Sequence, residues 1–250
     1  MSRTRAPKKT TAKRALLRID GESVEVTLRA NPRARRFIVK VDPSTGEVSV
    51  TAPSHRSLDR AFDFARGERD WIAGRLADVP KPVPLALGNK LMFRGVVHLL
   101  REGKGRKPVW IDGEADEPVI RVNGRAEHAT RRILDWLKRE AKRRISERAL
   151  EYAGALGAKP KRITIRDTTS RWGSCSTTKS LSFSWRLVMA PPHVLDYVVA
   201  HEVAHLREMN HEPRFWRLVD TLISHSEKSQ AWLSENGALL HRYAPRSRAP

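Results

Sequence analysis

His201-Glu202-Val203-Ala204-His205-Leu206-Arg207-Glu208-Met209-Asn210-His211 is the stretch on which the reading of this chain turns. On a helix, residues four apart differ by about 40° around the axis, so His201 and His205 can present both imidazoles to one metal ion from one face. Neutral imidazole nitrogen suits Zn²⁺, and a catalytic zinc keeps three protein ligands and one open position. Glu202 lies about 100° round from His201, beside such an ion and not on it. There it can act as general base on a metal-bound water and later return the proton to the leaving group. H-E-x-x-H is a recognised zinc-hydrolase pattern with this mechanism. The third ligand is expected to be His211, at the spacing of H-E-x-x-H-x-x-G-x-x-H, although Glu208 stands where that pattern has Gly. The helix must then end before His211, and Asn210 followed by Pro213 allows it. Glu208 or Glu212 is the alternative third ligand.

The neighbouring sequence agrees with a buried, metal-bearing helix. Pro191-Pro192 open it, and Val194, Val198, Val199, Val203 and Leu206 leave it apolar nearly all round through about Met209. Phe215, Trp216, Val219, Leu222 and Ile223 follow as an apolar stripe that packs against it. Upstream, Ser170-Arg171-Trp172-Gly173-Ser174-Cys175-Ser176 reads as backbone exposed beside a cleft, either as an edge strand that aligns a substrate or as a tight turn with Trp172 in the core. Arg171, Ser174 and Arg186 are the candidate substrate-binding residues, and Tyr197 joins Arg171 and Ser174 as a candidate oxyanion stabiliser. Cys175 is excluded from the ligand set, because a lone cysteine is more often a small buried hydrophobe.

Further out, period-two alternation marks strands: Leu17 and Ile19; Val24, Val26 and Leu28; Phe37, Val39 and Val41; and, after the Asp42–Gly46 turn, Val48 and Val50. Ser57 begins a helix to about Leu76, and Pro80, Pro82 and Pro84 break the chain. A second strand group covers 91–93, 96–100, 109–111 and 119–122. A long helix starts near Ala126 and ends before Pro160. Short strands at Ile163–Ile165 and Leu181–Leu187 precede the metal helix, and Pro213 opens another helix through Ile223. There is no internal sequence repeat. The fold class is α+β, in three parts: a basic tail at 1–13, a strand-rich domain at 14–125 and a helix-rich domain at 126–250.

The chain has 250 residues with 48 Lys+Arg against 28 Asp+Glu, a net charge of +20. Such a field attracts polyanions, so nucleic acid is a conceivable partner, but no nucleic-acid-binding motif accompanies it. No apolar run approaches the roughly 18 residues of a membrane helix, and Cys175 is the single cysteine, so the expected location is the cytoplasm.

The runs S-R-W-G-S-C-S (170–176), F-S-W-R-L (183–187) and H-E-V-A-H-L-R-E-M-N-H-E-P-R-F-W (201–216) resemble the YgjP-like metallopeptidase family, which is related to SprT-like and WLM zinc proteins. The resemblance covers the C-terminal half specifically and the strand-rich half more loosely; the basic tail lies outside it. It implies a zincin-like catalytic domain, with one zinc on His201, His205 and His211 and with Glu202 as base. Peptide-bond hydrolysis is the leading expectation. UTP or nucleoside-triphosphate pyrophosphatase activity at the same metal is the second, motivated by the +20 charge and by Arg171 and Arg186 near the expected cleft, either of which could stabilise charge on a phosphoryl oxygen; the family also carries that activity. A DNA-associated adaptor with structural zinc is the third, against which an intact Glu202 argues.

Overall fold

The computed structural model describes residues 12–244. Most of the basic tail therefore lies outside the described residues. Lys13, its last member, is the first residue of a strand and its ammonium meets Asp59 at 2.6 Å. The chain divides into two compact units, Met1–Pro80 and Lys81–Pro250.

The first unit holds β1 (Lys13–Ile19), β2 (Glu22–Ala30), β3 (Ile38–Val41) and β4 (Val48–Ala52), in the sheet order β1-β2-β4-β3. The outer pairs are antiparallel and the central β2–β4 pair is parallel. Alternation places Val26, Leu28, Val48 and Val50 on the covered face, all fully buried. The expected single helix from Ser57 to Leu76 is two helices, α1 (Leu58–Gly67) and α2 (Arg69–Ala77). Glu68 between them leaves helical geometry at φ −89°, ψ 14°. Ala61, Ala65 and Ile72 close the core of this unit.

The second unit begins with β5 (Lys90–Phe93), β6 (Val96–Glu102), β7 (Val109–Asp112) and β8 (Val119–Val122), ordered β5-β6-β8-β7 with the same pattern of directions. The apolar face of this sheet, with Leu91, Phe93, Leu100, Ile120 and Val122, shares one core with Ile133, Leu137 and Ala141 of α3 (Ala129–Ala155). The compact units thus separate at Pro80, not at residue 125. Strand content changes at 125, but the faces of β5–β8 are covered by the helix beyond that point.

A three-stranded sheet follows: β9 (Arg162–Arg166), β10 (Gly173–Cys175) and β11 (Ser180–Ser184), in the order β10-β11-β9. The strand expected to reach Leu187 stops at Ser184, where a 3₁₀ turn over Trp185–Val188 begins with the Ser184 hydroxyl accepting the Arg186 N–H. Three helices complete the unit: α4 (Pro192–Ala204), α5 (Pro213–Leu222) and α6 (Ser226–Leu240). The last was not anticipated. No helix among the described residues is long and apolar enough to cross a membrane.

Candidate metal centre

Helix α4 carries His201 and Glu202 in its last turn. It ends at Ala204, well before the expected Met209, and His205 is its C-cap. His205 keeps right-handed angles (φ −63°, ψ −15°), so the four-residue spacing still places its ring 5.0 Å from that of His201. Arg207 follows two residues beyond the cap. Its guanidinium donates to the Leu156 carbonyl at 2.6 and 2.9 Å and to the Gly157 carbonyl at 2.8 Å, covering the carbonyls exposed at the end of α3. Gly157, at φ +58°, leaves the room: a Cβ there would stand 2.9 Å from Arg207 Nη2.

The chain then turns back and brings His211 onto the pair. His211 Nε2 is 3.1 Å from His201 Nε2, and the ligand nitrogens of His201, His205 and His211 all lie within 4.8 Å of one another. A tetrahedral zinc with Zn–N bonds of about 2.0–2.1 Å would hold its nitrogens about 3.3 Å apart, close to the His201–His211 spacing; a separation near 4.8 Å would have to shorten by about 1.5 Å around such an ion. His205 Nδ1 stands 3.0 Å from the Glu208 carbonyl. A carbonyl only accepts, so this nitrogen carries the proton and Nε2 keeps its lone pair for a metal. Glu208 thus serves through its backbone and is not among the converging ligands. Burial, with the neighbouring His205 and His211, pushes His201 down to about 4, and burial also lowers His205. Both shifts favour the neutral imidazole that a metal requires.

Phe215 at the start of α5 packs against all three rings, with centroids 4.8, 4.5 and 4.7 Å from His201, His205 and His211. The sequence marked it only as core. It is fully buried, but it also fixes the wall on which the three ligands rest. The aromatic four residues after His211 was the available signal.

Glu202 is buried beside the triad. Burial raises its carboxyl to about 7, against the opposing influence of the Arg171 charge and a hydrogen bond from the Cys175 N–H. The approach of β10 depends on Gly173: a Cβ there would lie 2.5 Å from Glu202 Cγ and 2.7 Å from its Oε1. Trp172 and Ser176 bond to β11 (Ser184 N to Trp172 O, 2.8 Å; Ser176 N to Ser180 O, 3.0 Å). Antiparallel alternation then turns the amides of Gly173 and Cys175 to the free edge, on the Glu202 side.

The candidate substrate-binding residues separate. Arg171 is exposed and close enough for its charge to act on Glu202. With Gly173 facing Glu202, the Ser174 side chain alternates to the opposite face of β10. The expectation for Arg186 is corrected. The residue is 1% exposed, and it donates to Asp167 Oδ1 at 3.1 Å and to the carbonyls of Leu240, Tyr243 and Ala244, tying down the C-terminal segment. The strand alternation that made it polar-facing stops at Ser184. Cys175 is half-buried, and burial followed by the Glu202 charge raises its thiol to about 11, so it is no ready thiolate. Tyr197 rests 5.9 Å from the His201 ring.

The three histidines thus converge with a buried carboxylate alongside and the outer edge of β10 next to that carboxylate. Residues 35–236 match the family model for the YgjP-like metallopeptidase domain, and the chain belongs to that family. Two solved structures are similar over part of the chain. The metallopeptidase zymogen abylysin of Pyrococcus abyssi has 16% identity over 36% of this chain and 93% of its own, with a TM-score of 0.34. The metallopeptidase zymogen jannalysin of Methanocaldococcus jannaschii has 23% identity over 38% of this chain and 96% of its own, with a TM-score of 0.33. No curated protein matches the chain.

Proposed function

We propose that this protein is a zinc-dependent peptidase in which His201, His205 and His211 hold one zinc ion and Glu202 is the general base. The convergence of three imidazoles within 4.8 Å carries this reading. A zinc ion, when bound, polarises a carbonyl oxygen and lowers the pKa of water. Glu202 then has two duties. Its carboxylate takes the proton from the attacking water, and its carboxylic acid delivers that proton to the amine leaving group. Burial suits it to both, since a pKa near neutrality lets one group accept and return a proton. The outer edge of β10, where the Gly173 N–H and the Gly173 and Cys175 carbonyls face away from β11 while the Cys175 N–H serves Glu202, offers main-chain groups along which an extended peptide can align. Phe215 keeps the three rings from swinging apart.

The nucleotide reading has lost one support, because Arg186 is committed to backbone carbonyls. A structural-zinc adaptor has no use for Glu202. Two measurements side by side test the proposal: cleavage of a quenched-fluorescence peptide library, and pyrophosphate release from UTP. The zinc-loaded wild type is expected to cleave peptides. Glu202→Gln should retain stoichiometric zinc and lose at least about a hundredfold in turnover. Pyrophosphate release without peptide cleavage would overturn the peptidase reading, and full activity in Glu202→Gln would remove Glu202 from the mechanism.

A further inference from the structure

Helix α3 distributes its cations unevenly. Arg143, Arg144 and Arg148 are each paired, with Glu140, Glu147, Glu151 or Asp196. Lys138, Arg139 and Lys142, one turn earlier and on a common face, have no ion pair among the described residues, and neither does Arg166 at the end of β9. These four side chains surround one cavity of about 360 Å³. Its apolar lining comes from Ile165 and from Trp185, which is 1% exposed. The indole Nε1 of Trp185 is buried with no acceptor among the described residues. Asp167 is the one acid on the wall, and it is engaged by Arg186.

Unpaired like charges on one small surface repel and destabilise the fold, so their convergence has a cost that a ligand can offset. The chemistry of the cavity narrows the ligand. It needs several negative charges, to meet four cations, together with an apolar group that fills a space floored by an indole and an isoleucine. Among the described residues the lining takes none from the start of an α-helix that could cradle a phosphate: Lys138, Arg139 and Lys142 lie well inside α3, which begins at Ala129. The cations come from two elements, three from α3 and Arg166 from the end of β9, as suits carboxylates at successive positions along a chain. β9 is also an edge strand of its sheet, next to which an extended segment can lie.

We propose that this cavity is a docking site for an acidic polypeptide segment, with one large apolar side chain in the pocket and Asp or Glu residues on Lys138, Arg139, Lys142 and Arg166. It rests on the peptidase reading only in taking that segment to belong to a substrate; the binding itself does not require catalysis.

The test is fluorescence anisotropy on the full-length protein carrying Glu202→Gln, so that a bound peptide survives. The probe is a labelled twelve-residue peptide of Asp and Glu with one central Phe. Lys138→Glu with Lys142→Glu is compared with Arg33→Glu plus Arg35→Glu, which changes the net charge equally at exposed arginines of the first unit. The site predicts saturable binding that weakens at least about tenfold in the first double variant and less than about twofold in the second. Replacing the central Phe by Ser should also weaken it. Equal weakening in both double variants would mean only a general response to positive charge, and would overturn the proposal. So would an absence of saturable binding, or displacement by UTP or an oligonucleotide at lower concentration than by unlabelled peptide. Peptide binding with no peptidase activity would leave this site standing while the proposed function fell.

Discussion

The two four-stranded sheets of this protein have the same strand order, the same directions and the same exit through a 3₁₀ turn into a helix, yet they do different work. The sheet β1–β4 closes on the short helices α1 and α2 and completes its own core. The sheet β5–β8 spends its apolar face on α3, whose 27 residues also pack beneath the metal-bearing helix. The hairpins make the contrast sharper. Asp20-Gly21 and Arg94-Gly95 are both two-residue turns with positive φ at each position (48° and 85°; 53° and 79°). A Cβ on Gly21 would meet nothing within 4 Å, whereas one on Gly95 would stand 2.9 Å from Pro191 Cγ. The second turn also donates from Arg94 N to the Val188 carbonyl at 3.0 Å and from Gly95 N to the Met189 carbonyl at 2.8 Å. One topology therefore serves once as a self-contained unit and once as the brace for the segment that enters α4.

That contrast can be broken by experiment. Phe93 is fully buried with its ring 4.6 Å from Trp136, and Phe93→Ala should cost about 3–5 kcal/mol and reduce zinc content and turnover together. Leu28→Ala, at a fully buried position of the first sheet, should cost about 2–5 kcal/mol by chemical denaturation of that unit and leave zinc stoichiometry intact. Loss of zinc in Leu28→Ala would mean that the units are not separable. The paired turns give the next test. Gly21→Ala should cost about 1 kcal/mol from backbone strain alone. Gly95→Ala should cost more, because strain adds to a clash with Pro191, and it should lower zinc affinity; equal effects at the two glycines would refute the bracing role of the second hairpin.

The smallest effect concerns pH. Burial alone would raise the Asp42 carboxyl, but hydrogen bonds from Ser44 (2.9 and 2.6 Å) and Thr45 (3.1 Å) hold it below the ordinary carboxylate value. A depressed carboxyl stabilises above its unfolded pKa, near 3.9, and that stabilisation disappears as pH falls through the lower folded value. Asp42→Ala should therefore cost about 1 kcal/mol at neutral pH, and the difference from wild type should shrink below pH 4.

How much of this was legible depended on whether local pattern and core agreed. The strands of both sheets were readable because alternation reflects a one-sided core, and the Asp42–Gly46 turn was readable from its residue types. Helical spacing alone relates His201, Glu202 and His205, whereas His211 lies beyond the end of α4 and its approach depends on the turn that follows His205. The boundary at Pro80 was not, because a change of secondary structure says nothing about which helix covers which sheet. Arg186 misled for a related reason: alternation holds only while the strand continues, and a 3₁₀ turn after Ser184 carries the guanidinium inward. Gly173 was noticed as exposed backbone, but its purpose, leaving space for Glu202, depends on a neighbour far away in sequence. The anchoring of α3 by Arg207 is equally long-range, linking residue 207 to residues 156 and 157.

The central claim is the three-histidine metal centre, and X-ray absorption at the zinc edge on the zinc-loaded protein tests it most directly. The expected first shell is three imidazole nitrogens and a light atom at about 2.0–2.1 Å, with the imidazole count falling by one in His211→Ala. Sulfur scattering at about 2.3 Å would place Cys175 on the metal, and a shell unchanged in His211→Ala would remove His211 from it; either result would contradict the site described.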